Sequence, residues 1–235
     1  GVFGVGDIGA AIPLVVTPLI IDAWGWNSVG PIFGAALLLT AFLFWLVAPQ
    51  STFKTPSISH QIGFLMSVRN LQIWRFGLYY YFVYGSFIAL ILWLPHYYVS
   101  AYHLSPSNAM AFTITFVVTS SMARALGGWF SDRYGGRSVN WLVFWLCIVC
   151  LFFLSYPPTN MTIHGVNHDV NISIEVNVWV FNLLIMTIGI AQGFGRASVF
   201  KTIHEYFPKN IGQIGGFVVG IGTLGGCTLP ILFGL

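Results

Sequence analysis

Arg124 is the side chain of this sequence that most demands a chemical explanation. It stands inside an apolar run whose polar end is marked by Ser131, which at about 1.5 Å per residue leaves it roughly 10 Å of helix from that end. An arginine at such depth in a membrane helix costs about 2.5–3.5 kcal/mol even on a lenient insertion scale. No carboxylate lies within a turn or two on the same run, so the sequence offers no local ion pair. Two explanations remain: an acid on another helix, or a ligand that is itself an anion. The planar guanidinium favours the second, because it donates two parallel hydrogen bonds to a planar oxyanion. That chemistry is recognition rather than bond-breaking.

Other polar residues are weighed beside it. Tyr80 and Tyr84 are i, i+4 neighbours on one helix face, able to flank a ligand or to pack against lipid in a chain that is 17% aromatic. Arg196 and Lys201 share a later run; Arg196 is expected to reach the interface with its long stem, and Lys201 to pair with Glu205 one turn on. His164 and His168 have an i, i+4 spacing suited to a metal, but no acid or cysteine completes a site, and they read as loop histidines. Cys147, Cys150 and Cys227 sit in apolar runs and read as small packing residues. No metal or cofactor is expected.

The elements that must position Arg124 follow from composition. Charged residues are 6% of the 235-residue chain and hydrophobic ones 57%, against about a quarter charged in soluble domains. Mean hydropathy is +0.81. Such a chain takes the lipid bilayer as its solvent. Seven runs meet the length of about 20 apolar residues that a crossing helix needs: 2–21, 30–48, 73–98, 108–131, 138–156, 177–203 and 212–235. Turn formers or charges separate them. An all-α, polytopic membrane protein is therefore expected.

Seven of the 9 basic residues (Lys54, Arg69, Arg75, Arg133, Arg137, Lys201 and Lys209) fall at alternate loops on one side, expected to be the cytoplasm. The loop 157–176 then lies outside; its triplets at Asn160 and Asn171 match the glycosylation pattern, which is common by chance. Residues 49–72, polar and carrying Pro56, read as a cytoplasmic linker between 1–48 and 73–235. No leader pattern precedes the first run, both termini lie inside apolar runs, and both ends are expected to be cut.

Two motifs fix the register. Gly128, Asp132, Arg133, Gly135 and Arg137 form the pattern G-x-x-x-D-R-x-G-x-R at the basic end of the fourth run. Gly128 is expected to admit a neighbouring helix, Gly135 to make a tight turn, and Asp132 to pair with a base or cap a helix. Glycines then cluster in the first run (Gly4, Gly6, Gly9) and the last (Gly215, Gly216, Gly220, Gly222, Gly225, Gly226), where small residues let helix backbones approach. If 49–72 joins two six-helix halves, these runs are equivalent helices of the halves, the fifth and the eleventh, and the loop follows the eighth.

The loop resembles the signature of the major facilitator superfamily. The two glycine runs, with Tyr80 to Ile88 and Arg124 to Gly128, resemble the paired signatures of the nitrate/nitrite porter family. The resemblance covers the whole chain and implies helices 5–11 of a twelve-helix major facilitator fold, with helices 1–4 and 12 lacking. It implies an arginine at position 124 that contacts nitrate, a second one facing it from helix 2, and aromatic residues at 80 and 84 flanking the anion. It also implies Gly6, Gly9, Gly215, Gly216 and Gly220 along the route. Asp7 stands where the family commonly has asparagine; beside an anion, a carboxylate must bind a proton or pair with a base.

The expectation is a secondary active transporter of nitrate or nitrite in the cytoplasmic membrane, a monomer working by alternating access, either proton symport or nitrate/nitrite exchange. It would not be an enzyme, and no nucleic-acid partner is expected. A carrier of another small anion and a transporter-like sensor are the alternatives. The chain by itself, with half the site lacking, is expected not to transport.

Overall fold

The computed structural model describes residues 6–47, 69–156, 159–164, 169–174, 176–208 and 210–234. Among them are seven helices long and apolar enough to cross a membrane, one for each apolar run. A helical turn at 6–8 leads into α1 (Ala11–Trp24). Gly25, at φ 77°, turns the chain into a 3-10 turn, Trp26–Ser28, and α2 (Val29–Val47) follows. Then come α3 (Leu71–Tyr102), α4 (Pro106–Tyr134), α5 (Gly136–Leu154), α6 (Val178–Tyr206) and α7 (Ile211–Phe233). The chain is a multi-pass membrane protein.

Capping residues set the ends. Asn70 accepts the Gln72 amide at 3.0 Å to open α3, and His103, left-handed at φ 51°, closes it. Ser105 accepts the Asn108 amide with Pro106 at the first turn of α4, where a missing N–H costs nothing. Asn177 caps α6 through the Trp179 amide at 3.0 Å. At 32 residues, α3 spans about 48 Å and overshoots a hydrocarbon core of about 30 Å.

Between α5 and α6 the described residues include an antiparallel hairpin, β1 (Thr159–His164) and β2 (Asp169–Ile174), pairing Thr159 with Ile174 and His164 with Asp169. Among the described residues it is the strand structure of an otherwise helical protein, within the loop expected at 157–176. His164 thus lies on a strand, and His168 lies outside the described residues. Most of the expected linker 49–72, namely residues 49–68, also lies outside them.

Two long helix pairs form the framework, α3 against α7 and α4 against α6, with α5 on α6 and α1 on α4. Between α3 and α7, a Cβ on Gly85 would come within 2.6 Å of the Gly225 carbonyl carbon, so that pair of glycines lets the two backbones approach closely. One apolar cluster joins Phe87, Ile91, Leu94 and Tyr98 of α3 to Phe116 and Val117 of α4 and Phe181 and Ile185 of α6, with Ala11 of α1. Cys150 is buried, and Cys147 packs with Val139, Val143 and Ala191. In contrast, α2 buries no residue and presents Leu37, Leu38, Phe44 and Trp45 outward.

Candidate functional site

One face of α4 is polar although buried: Thr113, Ser120, Ser121, Arg124 and Ser131 are all shielded. Thr113 and Ser121 spend their hydroxyls on the carbonyls of Ala109 and Val117 one turn back, which satisfies them within the helix. Ser120 and Arg124 look instead to neighbouring helices. The backbone of α6 comes close at this level, because a Cβ on Gly193 would lie 2.8 Å from the Arg124 amide nitrogen. Any larger residue would push the two helices apart where the guanidiniums sit.

Arg124 is 7% exposed. Its Nη1 lies 2.7 Å from Oδ2 of Asp7 and its Nη2 donates to the Tyr80 hydroxyl at 3.3 Å. The acid on another helix, the structural explanation for a buried arginine, is therefore present. The same Asp7 oxygen is met from the opposite helix by Arg196 Nη1 at 2.6 Å. Arg196 Nη2 donates to Ser120 Oγ at 2.7 Å, Nε to the Gln192 carbonyl at 3.4 Å, and the guanidinium stacks 3.8 Å above the Phe87 ring. Asp7 is paired twice, with two bases rather than one.

This corrects the sequence expectation for Arg196. The side chain is fully buried, 0% exposed, and does not reach the interface. Arg124 and Arg196 each precede the end of a 29-residue helix, at Tyr134 and Tyr206, by about 15 Å of rise. That equal depth was available in the sequence: a side chain so far from its helix end cannot snorkel out as easily as Lys201 can. Gly189, Ala191 and Ala197 around Gly193 and Gly195 further indicate a segment packed against other helices rather than against lipid.

Tyr80 is buried and Tyr84 half-buried, their rings stacked at 5.5 Å with planes 10° apart. Phe200 meets Tyr80 edge-on at 5.7 Å, and Gly222 of α7 lies against the Tyr80 ring. Gln192 donates to Ser86 at 2.8 Å one turn from Arg196. Asp7, Tyr80, Tyr84, Arg124 and Arg196 thus converge from α3, α4, α6 and the turn before α1.

The glycines divide. Gly222, Gly225 and Gly226 face α3, whereas Gly216 and Gly220 are exposed with open space around them, and Gly215 is buried with Phe200 as its near neighbour. Gly6 is likewise open, and Gly9 closes on the Gly6 carbonyl in the first turn.

At the far end of α4, Gly135 has φ 82° and turns the chain from α4 into α5. A left-handed φ of this kind suits glycine and few others. Open space surrounds Gly128 among the described residues; the close approach to α6 is made by its neighbour, Gly127, whose Cβ would lie 2.8 Å from the Phe194 backbone. Asp132 Oδ1 receives Lys201 Nζ at 2.8 Å. Lys201 therefore joins α6 to the end of α4, not to Glu205 as its spacing suggested. Arg133 lies over the Trp129 ring at 5.8 Å, and Arg137 is exposed. Among the described residues no group of three or more His, Cys, Asp or Glu could hold a metal.

The profile of the Major Facilitator Superfamily matches residues 2–230. The chain belongs to the Major Facilitator Superfamily. Within it, the chain is 31% identical over 99% of its length to a probable nitrate/nitrite antiporter, NarK1, of Thermus thermophilus. It is 28% identical over 99% to the nitrite extrusion protein of Bacillus subtilis, and 28% identical over its whole length to a probable nitrate/nitrite transporter, NarK2, of Mycobacterium tuberculosis. It covers 56%, 54% and 55% of those proteins, so it spans about half the length of the curated relatives it matches. The superfamily and these relatives are transporters, not enzymes. The resemblance drawn from the two glycine runs, Arg124 and the signature loop therefore holds at the level of family.

Proposed function

We propose that the full-length protein is a secondary active transporter that carries nitrate or nitrite across the cytoplasmic membrane by alternating access. The observation that carries this reading is the buried Arg124, holding a carboxylate oxygen at 2.7 Å inside a membrane bundle. A guanidinium that seats one planar oxyanion can seat another, and the relatives' names supply nitrate and nitrite. Arg124 binds the anion, Tyr80 and Tyr84 flank it, and Gly6, Gly9, Gly215, Gly216 and Gly220 line the route. Asp7 shares that site.

Under this reading α1 to α7 are helices 5 to 11, and 49–72 is the cytoplasmic linker between residues 1–48 and 73–235. The loop 157–176, with its hairpin, lies outside. The two halves rock about a midplane site, Gly128 to Arg137 help set which side is open, and a monomer in lipid suffices. The driving force is a proton gradient or a nitrite gradient.

The test uses full-length protein in lipid vesicles. Nitrate uptake is followed with nitrite inside, with an acid exterior, and with neither. Uptake that needs internal nitrite means exchange, and uptake that needs the proton gradient means symport. No uptake under any condition, by protein that is inserted and folded, refutes the reading; uptake of a different small anion by the same vesicles replaces the substrate.

A further inference from the structure

Two guanidiniums do not converge on one point unless negative charge holds them there. Arg124 Nη1 and Arg196 Nη1 both lie on the single oxygen Oδ2 of Asp7, at 2.7 and 2.6 Å. Their remaining η nitrogens go to neutral hydroxyls, Tyr80 at 3.3 Å and Ser120 at 2.7 Å. The point between the arginines is thus an anion position with donors converging from α3, α4 and α6. Its present occupant arrives from a different element, the turn that precedes α1, and is still 13% exposed.

We propose that Asp7 is an internal competitor of the transported anion, and that Arg196 is a second anion-binding residue equal in standing to Arg124. This rests on the anion-transport reading above and deepens it. A small planar oxyanion takes the place of the carboxylate on both guanidiniums, and Asp7, released from its two cationic partners, swings away.

A structural ion pair would behave differently. If Asp7 served to neutralise Arg196 and nothing more, deleting both together would leave nitrate binding unchanged, and deleting Asp7 alone would weaken it. The experiment measures nitrate binding by titration calorimetry to the purified full-length protein at pH 7. It compares wild type, Asp7→Asn and Asp7→Asn with Arg196→Gln, each checked for helical content and monodispersity. Asp7→Asn is expected to bind at least fivefold tighter than wild type. The double variant, whose charge equals that of wild type, should bind at least fivefold more weakly than wild type. Binding by the double variant that matches wild type, or binding by Asp7→Asn no tighter than wild type, overturns the proposal. If nitrate fails to bind wild type but nitrite, chlorate or formate binds with the same pattern, the competitor stands and the nitrate reading falls.

Discussion

At the scale of the residue, the reasoning turns on how a buried arginine is satisfied. The sequence made Arg124 conspicuous because it interrupts an apolar run far from either end. It could not reveal the partner, since Asp7 lies over a hundred residues away and only the packing of α1 on α4 brings them together. Arg196 was misjudged for a related reason: Lys201 and Glu205 nearby made its helix end look polar, while its own depth equals that of Arg124. Geometry at this scale predicts a difference between cations. Arg124→Lys keeps the charge but loses the planar fork that reaches Asp7 and Tyr80 together, so the apparent KM for nitrate should rise at least tenfold in vesicle uptake. Tyr80→Phe removes one neutral acceptor at 3.3 Å, and a rise of about two- to thirteenfold is expected from a hydrogen bond worth about 0.5–1.5 kcal/mol.

At the scale of the element, the decisive features are small residues at helix crossings. Spans and their order were legible from hydropathy, because lipid requires every crossing segment to be long, apolar and internally hydrogen-bonded. Which glycines do the packing was not, because a run with seven of them has them on every face. The structure separates the faces: Gly225 lies against the α3 backbone at Tyr81, while open space surrounds Gly216. Gly225→Val should therefore destabilise the α3–α7 pair by about 1–3 kcal/mol, the usual cost of overpacking, seen as earlier thermal unfolding in detergent. Gly216→Ala should leave unfolding unchanged. A loss of transport in that stable variant would mark Gly216 as a residue of the route rather than of the fold. The hairpin at 159–174 is not among the expected elements although its residues carry the pattern: Met161 and Ile163, then Val170, Ile172 and Ile174, alternate with polar residues, a two-residue period that a search for long apolar runs passes over.

At the scale of the whole molecule, the exposed faces of α2 and the open glycines of α7 are surfaces for lipid or for other helices. Relatives nearly twice as long fit that picture. The pair between Asp132 and Lys201 ties the end of α4 to α6 at one membrane face. As an exposed ion pair it adds little to stability; its use is to favour one arrangement of the helices. Asp132→Asn is expected to change transport rate while leaving thermal unfolding within a degree or two. The positive-inside pattern predicts that Asp132 lies at the cytoplasmic face; on that prediction a cysteine introduced at position 54 of a variant lacking Cys147, Cys150 and Cys227 should react with impermeant maleimide only in inside-out vesicles. The central claim is that an arginine pair inside this bundle holds the transported anion. It is tested most directly by nitrate uptake into nitrite-loaded vesicles carrying the full-length protein or its Arg124→Gln variant. Uptake that is robust in the first and lost in the second, with both inserted and folded, is the predicted result; equal uptake by the two would contradict the account.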